Sequence, residues 1–227
     1  MSMNRRFVLK GMALSSIAGM AMAGPLRALA AGESPAPSAA VRPVLALVSA
    51  GAAESVFLRG AQAAAGSQLQ VQRFDHDLGR LLGFERQLRS GQPMRVIGLL
   101  DDATATLVLD MARSAGARVQ WLGQHSSVAG VTHHRLLSSD LADGCSRRLG
   151  RQLHACGAGF HIADERQGSL AAPRQLSAPS RSGEHTSEWA SAVGYLLASL
   201  GEQPAMPAPA PVSTGLTGSF VSFSIEA

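Results

Sequence analysis

Apolar and polar positions change period repeatedly after residue 43, and the changes mark elements. Residues 43–49 (PVLALVS) are a short, almost continuously apolar run, the pattern of a strand buried on both faces. From 53 to 65, Phe57, Ala61 and Ala64 recur at helical spacing, and Gly66 can end that helix. Residues 69–74 alternate like a strand, 76–90 carry Leu78, Leu81, Leu82 and Phe84 on a helical repeat, and 95–100 (RVIGLL) predicts a second buried strand. Asp101-Asp102 can cap a helix over 103–115 that Gly116 closes, and 118–123 (RVQWLG) reads as the next strand.

The second half is less regular. The pattern predicts a strand at 131–137, a helix at 140–156 with Leu141, Cys145, Leu149 and Leu153 every fourth residue, and a strand at 159–163 (GFHIA). Residues 167–183 read as a polar loop, long for a compact domain. The helix at 187–200 has one apolar stripe of Trp189, Val193, Leu196, Leu197 and Leu200. A Pro/Ala spacer follows at 203–214, then a terminal strand within 215–227. In that strand Val221, Phe223 and Ile225 face one way and Ser222 and Ser224 the other, so it is expected to pair with a sheet edge, its own or a partner's. Strands alternating with helices predict an α/β fold over 43–202. The expected form is a mostly parallel sheet with helices on both faces, a Rossmann-like three-layer arrangement, behind a flexible leader at 31–42.

The first thirty residues stand apart. Arg5, Arg6 and Lys10 form a basic zone, 11–23 (GMALSSIAGMAMA) a weakly apolar one, and Ala28-Leu29-Ala30 a small-residue cleavage site. The run Asn4-Arg5-Arg6-Phe7-Val8-Leu9-Lys10 resembles the twin-arginine (Tat) export signal. Arg5, Arg6, Leu9 and Lys10 match it, whereas Asn4 stands where that signal has Ser or Thr, and Val8 where it has Phe. The resemblance covers these thirty residues only. It implies engagement of the Tat translocase, export of a folded chain, removal of residues 1–30 and a periplasmic mature protein. The apolar zone is shorter than the roughly 20 residues that span a bilayer, so no stable membrane anchor is expected.

Removing that segment changes the electrostatic picture. The whole chain has 20 Lys+Arg and 16 Asp+Glu, a formal net charge of +4. Residues 1–30 hold Arg5, Arg6, Lys10 and Arg27 and no acid, so the remainder carries 16 basic and 16 acidic residues. A chain with no net positive charge gives no electrostatic case for binding nucleic acid. About 200 residues suffice for one core. With aromatics at 4%, that core must be built from Leu, Val, Ala and Met.

In a doubly wound sheet ligands bind off the carboxyl ends of the strands. Those ends hold Ser49, Gly51 and Ser55, then Asp75 and His76, then Asp101 and Asp102, then His125. This polar set is the candidate ligand-binding site, although Asp and Ser in such places also serve as ordinary helix caps. Residues 49–55 lack the further glycines of a dinucleotide loop and the Gly-Lys-Ser/Thr of a P-loop. Five of the seven histidines and both cysteines fall between 125 and 161, without the spacing of a metal-ligand set. Cys145 and Cys156, eleven residues apart on a helix, would lie roughly 16 Å apart, too far to form a disulfide. No Gly-x-Ser-x-Gly elbow is present.

Two function classes follow. The leading expectation is a periplasmic, non-catalytic small-ligand-binding or accessory protein, with a small molecule or a periplasmic protein as partner. The competing one is a periplasmic hydrolase or metal-dependent enzyme with its site at the strand ends. No cofactor is specified by any motif.

Overall fold

A computed structural model describes residues 42–49, 52–74, 78–128, 131–181, 188–202 and 218–227, with the side chains of all but 52–55 and 78. The strands are β1 (Val44–Ser49), β2 (Leu69–Phe74), β3 (Arg95–Leu100), β4 (Arg118–Val128), β5 (Val131–Ser138), β6 (Gly159–Arg166), β7 (Arg174–Ala178) and β8 (Gly218–Glu226). The helices are α1 (Ala52–Ala65), α2 (Leu78–Leu88), α3 (Asp102–Ser114), α4 (Cys145–Ala155) and α5 (Glu188–Ala198). All eight strands form one mixed sheet in the order β2-β1-β3-β8-β4-β5-β6-β7.

The α/β class is as expected; the strand directions are not. β1 pairs in parallel with β2 and β3, and β5 with β6, but the other four of the seven pairings are antiparallel. The expected mostly parallel, Rossmann-like sheet is therefore corrected to a mixed one. Two elements cause this. β4 and β5 form a hairpin, which reverses the second half of the sheet. The C-terminal strand then enters antiparallel to both of its neighbours.

That terminal strand also corrects a placement. β8 does not sit at an edge: it lies in the centre, between β3 and β4, and these two strands are joined only through it. Its alternation is as read, with Val221, Phe223 and Ile225 in one core cluster. Ser222 and Ser224, however, are fully buried on the opposite face. Arg95 and Arg42 both hold Glu226 at the strand's end, at 3.0 and 2.9 Å. Phe223 lies over Gly98 of β3, where a Cβ would collide with its ring. Gly98 is thus the hollow that admits the Phe223 ring.

Two apolar clusters flank the sheet. One packs α1, α4 and α5 on alternate residues of β1, β3, β4, β5 and β6, with Phe57, Leu149, Leu153 and Trp189 at its centre. The other packs α2 and α3 on Leu45, Leu47, Val96, Leu100 and the apolar side of β8. Helix α5 is buried at every position but Ser191. Its backbone approaches α1 through Gly60 and Gly194, where a Cβ would run into the carbonyl oxygens of Ser191 and Phe57 respectively.

Three smaller expectations change. The helix foreseen at 140–156 is broken: a short 3-10 turn covers Asp140–Ala142, Gly144 takes φ of 78°, and α4 starts only at Cys145. A left-handed residue ends one helical run and permits the next to start at a new angle. The supposed loop at 167–183 contains β7, a polar edge strand whose exposed positions hide its period. β4 runs on to Val128 rather than stopping at 123. The spacer 203–214 lies outside the described residues. Among the described residues, no helix is long and apolar enough to cross a membrane.

Candidate functional site

Of the eight residues foreseen at the strand ends, Ser49, Asp101, Asp102 and His125 are described with their side chains, and each has its own place. Ser49 ends β1, half-buried. Asp101 is the N-cap of α3, accepting from the Thr104 amide at 3.0 Å and the Thr104 hydroxyl at 2.8 Å. Asp102 is exposed in the first turn of α3, where a negative charge complements the helix dipole. Gly51, Asp75 and His76 lie outside the described residues, as does the side chain of Ser55. His125 is no strand-end residue at all: it sits inside β4, paired with Phe220 of β8 and His134 of β5. Because β8 separates β3 from β4, Asp101 and His125 belong to strands two spacings apart, about 10 Å.

What His125 joins instead is a line of buried side chains under α5. Trp121 Nε1 donates to Ser222 Oγ at 2.9 Å, and Ser222 Oγ lies 2.7 Å from His125 Nε2. His125 Nδ1 is 2.7 Å from His134 Nδ1, and His134 Nε2 is 3.0 Å from Thr132 Oγ1. Thr132 in turn donates to the Gly159 carbonyl at 3.2 Å. The line crosses β8, β4, β5 and β6.

Its two ends fix every proton between them. Gly159 O can only accept, so the Thr132 hydroxyl proton points there and Thr132 Oγ1 accepts from His134 Nε2–H. A neutral His134 then has a bare Nδ1, which must accept from His125 Nδ1–H. His125 Nε2 is bare in turn and accepts from the Ser222 hydroxyl, whose oxygen takes the Trp121 indole proton. An added proton on His134 Nδ1 would face His125 Nδ1–H, and one on His125 Nε2 would turn the Ser222 hydroxyl proton away from its acceptor. Burial is the main reason both imidazoles titrate low, with mutual repulsion added for His125 and the neighbouring His133 for His134. His134 is brought down to about 3.

The surroundings are shaped to the line. Trp189 of α5 stacks on His125 with ring centroids 4.8 Å apart, and its ring centroid is 5.7 Å from that of His134. A Cβ at Gly123 would stand 2.7 Å from both His125 Nε2 and Ser222 Oγ. A glycine inside a strand marks such a close approach, and this is the one signal in the sequence that pointed here. The membership of Trp121, Thr132, His134, Trp189 and Ser222 depended on register and could not be read beforehand.

The remaining histidines separate by face. His133 is exposed on the side opposite His134, and it stacks on His161 of β6 with centroids 5.1 Å apart. His154 is exposed on α4. Among the described residues, no group of three or more His, Cys, Asp or Glu is placed to hold a metal ion. Cys145 and Cys156 are free thiols at the two ends of α4, and burial pushes both up to about 11, which keeps them protonated and unreactive.

Beyond β8 the described helices cover the sheet on one side only. The other side of β4 to β7 presents Gln124, His133, Arg135, His161, Gln175 and Ser177 to solvent. Where the cover of α3 stops, a cavity of about 560 Å³ opens beside Arg113, Arg118, Leu122 and Leu137. It lies at the amino end of β4, the opposite end of the sheet from the site foreseen in the sequence. No family model, no curated protein and no solved structure matches this chain.

Proposed function

We propose that the chain is exported folded by the twin-arginine route, and that its mature part acts in the periplasm as a non-catalytic small-ligand-binding or accessory protein. The export half rests on Arg5, Arg6, Leu9 and Lys10 and on the mild apolar zone that follows them. The binding half rests on how polar side chains are deployed. Among the described residues, His125 and His134 are taken up in the buried line and Asp101 in a helix cap. Polar groups with spare capacity instead line open surface and the cavity beside α3.

Two experiments test the reading. Replacing Arg5 and Arg6 by Lys and fractionating the cells should leave the protein in the cytoplasm; normal periplasmic levels would reject the route. Native mass spectrometry and metal analysis of protein purified from its own periplasm should find a non-covalent small molecule or a protein partner. A stoichiometric catalytic metal would instead favour the enzyme reading.

A further inference from the structure

The cavity beside α3 has a chemistry of its own. Its floor is apolar: Leu122 of β4 and Leu137 of β5 are cross-strand partners, and both are half-buried on the uncovered face. Arg113, in the last turn of α3, and Arg118, at the start of β4, stand at its rim, both exposed. Among the described residues neither arginine makes an ion pair or a side-chain hydrogen bond. Arg113 suits the negative end of the helix dipole, but that does not account for Arg118 beside it.

The cavity's one acid can offset at most one of these two charges. Asp140 is engaged by Arg166 at 3.3 Å, and Arg166 also holds Asp143 at 2.7 Å. The α3 carbonyls beside the cavity are satisfied too, by the amides of Ala115, Gly116 and Ala117. Gln120 is fixed by accepting from the Ser139 hydroxyl at 2.6 Å, which leaves its amide protons for another oxygen. Two guanidinium groups, a free amide and an apolar floor are thus gathered around one space. A volume of about 560 Å³ falls in the range typical of small-molecule sites, about 300–1,000 Å³. A neighbouring cavity of about 520 Å³ is less suited, because acids are mixed among its arginines and Arg148 already donates to the Glu202 carbonyl.

We propose that the cavity beside α3 binds a small organic anion, with its carboxylate across Arg113 and Arg118 and its apolar body on Leu122 and Leu137. This rests on the small-ligand reading above and names the ligand class and the place. Guanidinium groups pair with carboxylates through two parallel hydrogen bonds, and the leucine floor selects against bare inorganic anions. The bound anion would stand at the edge of the open sheet face, two register rows from Gln124 and Arg135.

Calorimetric titration of the mature protein with hexanoate, benzoate, hexanol and inorganic phosphate tests it. Saturable binding of hexanoate or benzoate is expected, weakened by added salt, with hexanol and phosphate binding at least about tenfold more weakly. Arg113→Gln and Arg118→Gln should each weaken carboxylate binding about tenfold, and the double variant should abolish it. Both side chains are exposed, so an unchanged melting temperature verifies that the variants fold. Carboxylate binding that survives in the double variant, or phosphate binding as tight as hexanoate, would overturn the proposal, as would no saturable carboxylate binding at all. The two readings fail separately. A small molecule that co-purifies equally with wild type and double variant removes this site but leaves the ligand-binding reading intact.

Discussion

The flanks of β8 are unlike. On one side β1 and β3 lie between two helical layers, and nearly every residue of both is buried. On the other side β5 alternates almost residue by residue between buried and exposed, because helices cover one face only. Double cover erases the two-residue period and demands continuous apolar sequence. Single cover keeps the period and lets chemistry differ between adjacent residues. His134 and His133 show this: one is locked neutral in the core line, and its neighbour stands in water. The second half therefore carries both the polar core line and the open surface, while the first half supplies the apolar mass that holds β8.

The sharpest way to break the comparison is to remove the strand between the two halves. Truncation after Glu202 would strip β3 and β4 of their shared partner. It would also expose apolar surface that Val221, Phe223 and Ile225 cover, at about 1.5–3 kcal/mol for each side chain lost. No cooperative thermal unfolding transition should remain. A truncated protein that melts like the full chain would show that the halves do not need β8.

Acid should be the next largest effect, and it should come from the singly covered half. The unfolded chain binds protons on His125 and His134 near 6.5, while in the fold both titrate lower, His134 at about 3. The stability they provide is full above about pH 6.5 and is lost as pH falls below it, by up to about 1.4 kcal/mol per pH unit for each imidazole. Glu188, pushed up by burial, acts with the opposite sign, but it is one group against two. Urea unfolding between pH 7.5 and 5 should show the decline, and a flat profile would refute the neutral line. In the doubly covered half the expected break is steric. Gly194→Ala would force α5 away from the Phe57 carbonyl and should cost about 3 kcal/mol. A loss under about 1 kcal/mol would mean that the helices part easily.

Much of the first half was legible because it obeys local rules. The run at 43–49, the capping Asp101 and the Gly116 stop all mark elements that form, within a residue or two. The second half was harder for physical reasons. Gly144 interrupts a leucine repeat that otherwise reads as one helix, and β7 has too few buried positions to show its alternation. The insertion of β8 between β3 and β4 leaves no local trace, since pairing between residues so far apart in sequence is decided by packing. That insertion also separates Asp101 from His125, two members of the strand-end set. The cavity beside α3 escaped notice because Arg113 and Arg118 read as the end of one element and the start of the next.

The smallest predicted effect isolates the exposed pair. His133 and His161 stack across β5 and β6, yet both rings are open to water, and neither makes a side-chain hydrogen bond among the described residues. Removing such a contact leaves no buried group unpaired, and the strands keep their ladder. His133→Ser and His161→Ser should each change stability by less than about 0.5 kcal/mol. The matched change one residue away, His134→Ser, removes a group that bonds on both ring nitrogens and leaves His125 Nδ1–H unpaired, so it should cost about 3 kcal/mol. Chemical denaturation of the three variants measures the contrast directly. Equal losses at 133 and 134 would mean that the face of the sheet does not decide the role of a histidine. A large loss at 133 alone would mean that the uncovered face is held by contacts of its own.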